Sequence, residues 1–445
     1  MKRVETACIG AMTTGSGKTT FTLGLLSLLQ KKGTVSSFKI GPDFIDPLFH
    51  RAILEQHQHS MFSRTGDKPV LYNLDSFFEE PLALKKMFSS GVDNSDFVII
   101  EGVMGHLDGV IQSKASTDEV AAIIQAPVVL LVREIPSVST LAAMIEGVIR
   151  NAASNIRSIV ITCSTSEKLF QMQKKAIETL TGITVAGRLP FDKQLIIPSR
   201  HLGLDTDVLK LQSSLQQLAE KCGQLILRHV DVQACFSDVE ITKTNESEIK
   251  PVKTAAVSQD EAFCFLYQTN VEWLEKQGYT IEYFSPLHDK HLPKAEFYYF
   301  CGGYPEIYRK SLAINQSMLK DVYKVCLSPI PVLAECGGYM YLHEQIEDCK
   351  MVGFLKGHAK IANRMQGHFG YEYLTLPDDF LVKGANRLKG HEFHYAYIQD
   401  GERETGIQVV KASNNQHFTS GIYKNNTLGS FAHLYFHSFL ETEGA

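Results

Sequence analysis

Short apolar runs that alternate with longer helical patterns constrain this chain most. Thr6–Gly10, Phe97–Ile100, Val128–Val132 and Ile156–Ile161 are too short for amphipathic helices and largely apolar, while longer segments such as Lys18–Lys32 read as helices. That rhythm predicts strand–helix–strand units and an α/β fold with a parallel sheet wrapped by helices. The helix over Lys18–Lys32 ends in two lysines and Gly33, a good C-terminal stop. ITKTNESEIKP (Ile241–Pro251) is polar and nearly free of large apolar residues, which marks a linker. Residues 1–240 and 252–445 are then two domains, in keeping with a chain of 445 residues that exceeds one compact core. In the second, strands are expected at Val252–Val257, Tyr279–Phe284, Phe297–Phe300 and Pro331–Ala334, with a helix over Glu261–Gln277 closed by Gly278. The C-terminal stretch reads as strands, notably His391–Ile398 and Thr427–Phe436.

The net charge of -5 arises from 44 basic and 49 acidic residues with no basic block, which argues against nucleic acid as a partner. Nine cysteines, an odd number without C-x-x-C pairs, suit reduced thiols in a cytoplasmic compartment and do not indicate a zinc site. No run approaches 18 apolar residues, and the glycine-rich loop interrupts any signal-peptide core after Met1-Lys2-Arg3, so neither a membrane span nor a targeting segment is expected.

Two segments carry chemistry. GAMTTGSGKTT (Gly10–Thr20) follows a strand and opens a helix, which gathers backbone N–H groups and a helix N-terminus around an anion. Gly15, Ser16, Gly17, Lys18, Thr19 and Thr20 are the nucleotide-binding candidates, Lys18 reaching the β/γ-phosphates and Thr19 a Mg²⁺ ion. The pattern is incomplete, because Met12 stands where a further glycine is expected. Asp43 and Asp46 in FKIGPDFIDP lie just past a strand, where they contact metal or substrate, or else cap a helix or form a turn. Glu101 stands at the C-terminal end of another strand, as a Mg²⁺ ligand, directly or through water, or as a solvated strand-end acid.

The second segment is PVLAECGGYMYL (Pro331–Leu342). An apolar strand runs into Cys336, and the glycines after it permit a tight elbow at a helix N-terminus, whose dipole is expected to favour thiolate. Cys264, Cys301 and Cys326 lack this setting and read as small buried hydrophobes. Phe300-Cys301-Gly302-Gly303 offers free N–H groups after a strand, and Ser430-Phe431-Ala432-His433 ends one with an imidazole. His433 is one of 16 histidines, so spacing alone does not single it out.

Taken together, these residues resemble the class I glutamine amidotransferases and, more closely, the cobyrinic acid a,c-diamide synthase family. The resemblance runs through FKIGPDFIDP, EGVMG, PSRHLGL, DEAFCFLY, FSPLHD, GGYPE, AECGGYMYL and GHEFHY, of which RHLGL and GHEFHY are the specific markers. It implies an N-terminal ATP-binding domain similar to dethiobiotin synthetase and a C-terminal glutaminase domain. It also implies Cys336 and His433 as the catalytic pair, with oxyanion donors at Gly303 and Gly337 and Mg²⁺ held by Thr19, Asp43 and Glu101. The implied reaction is ATP- and glutamine-dependent amidation of the a and c acetates of a cobalt corrinoid, through an acyl phosphate. Asp43, Asp46, Arg200 and His201 are candidate substrate contacts, the last two equally able to anchor their own loop. Hydrogenobyrinic acid and nickel sirohydrochlorin are rival acceptors, and a homodimer is compatible with all of this. A nucleotide switch carrying an inactive glutaminase fold is the rival of another class.

Several residues depart from the family pattern. Thr162 or Cys163 stands where Asn is usual, His106-Leu107 where Leu-Phe is expected, and Ala396 for Ser after GHEFHY. Tyr435 occupies the place, two residues after the histidine, of the glutamate that many class I glutaminases have there. His391, Glu392 and His394 have a metal-like spacing, but alternation along a strand would send the two histidines to opposite faces. Trp273 reads as core packing.

Overall fold

Parallel pairing brings the apolar runs of the first half side by side. The computed structural model describes residues 2–55, 71–92, 95–110, 114–197, 208–241, 251–378 and 380–440. Nearly all the described residues up to Ile241 pack as one compact unit, and those from Pro251 onward as another.

In the first unit the strands lie in the order Leu71–Leu74, Val35–Ile40, Phe97–Glu101, Lys2–Ala11, Val128–Arg133, Ile156–Ser164 and Val185–Pro190, all parallel. Antiparallel Ser237–Ile241 pairs with Lys2–Thr6, which is why the first strand starts earlier than its apolar run. Cys8, Ile100, Leu130 and Ile159 on the central strands have no exposed surface, as expected of a sheet covered on both faces. Helix Lys18–Leu29 is apolar almost all round and correspondingly buried. It ends three residues before the expected Lys32, and Lys32 and Gly33 both donate to the Leu29 carbonyl.

The second unit holds a mostly parallel six-stranded sheet, in the order Tyr279–Phe284, Lys253–Ser258, Phe297–Phe300, Val332–Glu335, Thr427–Ser430 and Ile422–Lys424. Only the last strand is antiparallel to its neighbour. A second, largely antiparallel sheet is built on Leu355–Thr375, Arg387–Gln399 and His433–Leu440.

Two expectations need correction here. The helix expected over Glu261–Gln277 begins only at Gln268. Before it, Phe263–Phe265 pairs antiparallel with Gly302–Gly303, because a strand facing two glycines meets no side chain and can approach their backbone closely. The strand expected over Thr427–Phe436 is two strands in two sheets. The chain turns at Ser430, whose hydroxyl accepts the Ala432 N–H at 3.1 Å, so His433 opens a strand rather than ending one.

Trp273, on helix Gln268–Lys276, packs edge-on to Phe436 at 5.4 Å and stacks on Phe439. Phe436 is wholly buried and also touches Tyr299. Trp273 is the only tryptophan in the sequence, so its fluorescence reports this unit alone. Phe436→Ala should lower the unit's unfolding free energy by about 3–5 kcal/mol in urea titrations followed by that fluorescence. A loss below about 1 kcal/mol would contradict this account of the core.

Candidate functional site

Because the strands of the first sheet are parallel, their carboxyl ends meet at one edge. Gly15 and Gly17 take left-handed φ values of 81° and 89°, which β-carbon-bearing residues rarely adopt, so the loop needs glycine there. Gly17 caps helix Lys18–Leu29 without a side chain, and the first turn has no acidic residue, leaving its N–H groups suited to an anion. Ser16 Oγ donates to the Thr13 carbonyl at 2.8 Å, and Thr162 Oγ1 donates to the Ser16 carbonyl at 2.8 Å. Thr162 thus braces the loop from the strand where the family pattern has Asn. Lys18 Nζ bonds the Met104 carbonyl. Thr20 Oγ1 donates instead to the Leu195 carbonyl at 3.3 Å.

Thr19 Oγ1 lies 2.7 Å from Glu101 Oε1 and 3.4 Å from Asp46 Oδ1. Asp43 is set differently: its Oδ1 accepts the Ile45 N–H at 2.8 Å, a turn that leads into helix Ile45–Leu54. Sequence reasoning missed Lys39. Parallel register sets it opposite Glu101, and its Nζ is 2.7 Å from Asp46 Oδ2, 3.4 Å from Glu101 Oε1 and 2.9 Å from the Gly102 carbonyl. Burial opposes the charge on Lys39, but Asp46, Glu101 and Asp43 outweigh it and hold the ammonium above its ordinary value. His50 Nε2 approaches Glu101 Oε2 at 2.8 Å, and its Nδ1 meets Ser37 Oγ. No spacing rule marks Lys39 or His50. His106, which departs from the family pattern, is buried with its Nε2 3.1 Å from Ser154 Oγ and 3.2 Å from Asp118 Oδ1, while its Nδ1 is buried without a hydrogen-bond partner among the described residues. Arg200 and His201 lie outside the described residues, as does most of the expected linker.

In the second unit Cys336 has φ 46° and ψ −101°, a strained elbow of order 1–3 kcal/mol between strand Val332–Glu335 and the short helix Gly337–Leu342. Its N–H donates to the Ser430 carbonyl at 2.7 Å. The thiol does not carry the lowered pKa expected from a helix dipole. Burial, and then the charge of Glu306, push it up, and one short helix turn does not outweigh them. The surroundings of the sulfur therefore favour its protonated form. A β-carbon on Gly337 would stand 3.0 Å from Gly303 N, so the two backbones converge beside Cys336. A β-carbon on Gly302 would collide with the His433 ring. Cys301 and Cys326 are buried as expected, whereas Cys264 is partly exposed.

His391 and His394 do separate. His391 stacks on His433 at 5.1 Å and meets Tyr267 OH at 3.1 Å, while His394 Nε2 meets Glu392 Oε1 at 3.0 Å. Burial, then the charge of His433, lower the His391 pKa well below its ordinary value. Among the described residues no helix is long and apolar enough to cross a membrane.

Comparison with known proteins agrees with this division of chemistry. Residues 254–440 match the model of a CobB/CobQ-like glutamine amidotransferase domain, and residues 72–199 that of an AAA domain, a match that begins beyond the phosphate loop. The chain is 37% identical to the cobyrinate a,c-diamide synthase of Clostridium tetani, covering 97% of both chains. It is 33% identical to that of Methanosphaera stadtmanae, covering 98% of this chain and 96% of the relative.

Asp43 yields a pH test. Burial first, and then the charge of Asp46, push its carboxyl up to about 7, against about 4 in an unfolded chain. Between these values the unfolded state has lost a proton that the folded state keeps, so stability falls as pH rises through the window and levels off above about 7. Asp43→Asn should flatten that fall in urea midpoints measured from pH 4 to 8. Parallel profiles for the two proteins would contradict it.

Proposed function

This chain belongs to the cobyrinate a,c-diamide synthase family and is an ATP- and glutamine-dependent amidoligase of cobalamin synthesis; we propose that its acceptor is cobyrinic acid, amidated at the a and c acetates. The observation that carries the proposal is a near-full-length match to synthases of that name in a chain that holds both a phosphate loop above Thr19, Asp46 and Glu101 and a thiol elbow at Cys336.

We assign residues 1–240 to the amidoligase domain, 241–251 to a linker and 252–445 to the glutaminase domain. A carboxylate does not accept ammonia directly, so ATP first converts it to an acyl phosphate, whose phosphate is the leaving group. Gly15 to Lys18 would hold the triphosphate through backbone N–H groups and the lysine ammonium. The hydroxyl of Thr19 and the carboxylates of Asp46 and Glu101, with Asp43 nearby, form an all-oxygen donor set that fits a hard divalent cation such as Mg²⁺. When bound, that ion would neutralise charge on the transferring phosphoryl group. Lys39 pairs with both Asp46 and Glu101 and holds them in place.

Cys336 attacks the side-chain amide carbon of glutamine as His433 takes the thiol proton. His433 then protonates the departing nitrogen, which leaves as ammonia, and water releases glutamate from the thioester. The N–H groups of Gly303 and Gly337 are assigned to the oxyanion. Arg200 and His201 stay as candidate contacts to the acidic rim of the tetrapyrrole. A cytoplasmic setting, consistent with the reduced cysteines, belongs to the same proposal.

Cys336→Ala should lower glutamine-dependent amidation at least 100-fold and leave ammonia-dependent amidation within about twofold. Lys18→Ala should abolish both. Mass spectrometry of reactions with Mg-ATP, glutamine and, separately, cobyrinic acid, hydrogenobyrinic acid or nickel sirohydrochlorin would identify the acceptor. Two additions to cobyrinic acid are expected, and amidation of another acceptor alone would replace that assignment.

A further inference from the structure

We propose that Glu335, the residue immediately before Cys336, is the positioning residue for His433, taking the role that a glutamate two residues after the histidine has in many class I glutaminases. The inference rests on Cys336 and His433 being the nucleophile and base of the glutaminase. In this chain the usual place is filled by Tyr435, whose ring packs edge-on to Tyr267 at 5.4 Å and brings no carboxylate.

Glu335 ends strand Val332–Glu335 and is 1% exposed. Its Oε2 lies 3.5 Å from His433 Nδ1. The carboxylate is held there from two sides: Tyr299 OH donates to Oε2 at 2.8 Å, and the N–H of Leu434, next to the histidine, donates to Oε1 at 3.0 Å. Asn270 secures the same strand, donating to the Leu434 carbonyl and accepting the Phe436 N–H, each at 2.8 Å. His391 stacks nearly parallel on the His433 ring, with 19° between the planes, and the missing side chain of Gly302 leaves room at Cε1.

These contacts hold the ring with its Nδ1 edge toward Glu335. If Nδ1 carries the hydrogen and donates it to Glu335, Nε2 is left with a lone pair for the Cys336 proton, and the imidazolium formed by that transfer sits beside a buried negative charge. Catalytic hydrogen bonds are often longer before substrate binds, and 3.5 Å needs only a small side-chain shift to close. Glu335 by itself disfavours thiolate at Cys336, since its charge is among the causes that raise the thiol. A carboxylate at this position therefore aids the reaction only through the histidine. A carboxylate two residues after the histidine lies on the histidine's own strand, whereas here it arrives from a strand of the other sheet, the one that leads into Cys336.

The test measures glutamate release with Mg-ATP and an accepted tetrapyrrole present, across pH, for wild type, Cys336→Ala, Glu335→Gln and Tyr299→Phe. Glu335→Gln keeps an acceptor oxygen and loses the charge. Its kcat should fall about 100-fold or more with KM within about twofold, and the acid limb of kcat/KM should move to lower pH, because the imidazole loses its anionic neighbour. A purely structural Glu335 would not shift that limb. Should Glu335→Gln fail to fold, Tyr299→Phe, which frees Oε2 from its tether, is expected to lower kcat about 3–10-fold. Wild-type activity that Cys336→Ala abolishes, together with unchanged kcat and acid limb in Glu335→Gln, or in Tyr299→Phe where that variant stands in, would overturn the role of Glu335 and leave the glutaminase intact. Absence of Cys336-dependent glutamate release in the wild type would remove the premise and the inference with it.

Discussion

Parallel strand register is the constraint on which the chemistry of this chain depends. In the first sheet Lys39 stands opposite Glu101, and Ile9, just before the phosphate loop, stands opposite Glu101 on its other side. In the second, Glu335 stands opposite Ser430. Parallel strands end together, so residues separated by 60 to 100 positions in sequence arrive at one edge within hydrogen-bond reach. A one-residue slip would turn Glu101 or Glu335 to the opposite face of its sheet and dismantle the corresponding site.

Burying so much charge at those edges is tolerable only because each group finds a partner. Lys39 is shared between Asp46 and Glu101, and Glu335 accepts from Tyr299 and Leu434. Breaking one such pair strands its partner in a low-dielectric interior, which costs more than the pair contributes to stability. The same burial acts on the two groups with less support. It raises the Asp43 carboxyl to about 7 and pushes the Cys336 thiol up. Strain at Cys336 belongs to the same economy: a positive φ in a β-carbon-bearing residue persists because the strand before it and the Ser430 carbonyl fix the turn.

Local signals were legible wherever one segment is sufficient. The phosphate loop with its helix, the strand ends of the first sheet and the cysteine elbow are each encoded within about ten residues by glycine placement and apolar runs. Where a long-range partner decides, local reading failed. Phe263–Phe265 has apolar spacing that suits a helix, yet it pairs with the glycines at 302 and 303. The apolar, aromatic character of Thr427–Phe436 gave no sign that the chain changes sheets at Ser430. The expected thiolate failed for a related reason, since burial and Glu306 come from the surrounding structure.

The sequence by itself determined the α/β class, the phosphate loop, the identity of Cys336 as the nucleophile candidate and, through its motifs, the family. Only the tertiary structure decided which charges meet. It drew Thr19 toward Asp46 and Glu101 while turning Asp43 into a local turn, brought Lys39 into the carboxylate cluster, and set Glu335 beside His433. The physical reason is that glycine spacing and hydrophobic period act over a few neighbouring residues, whereas a buried ion pair exists only once two distant strands have settled in register.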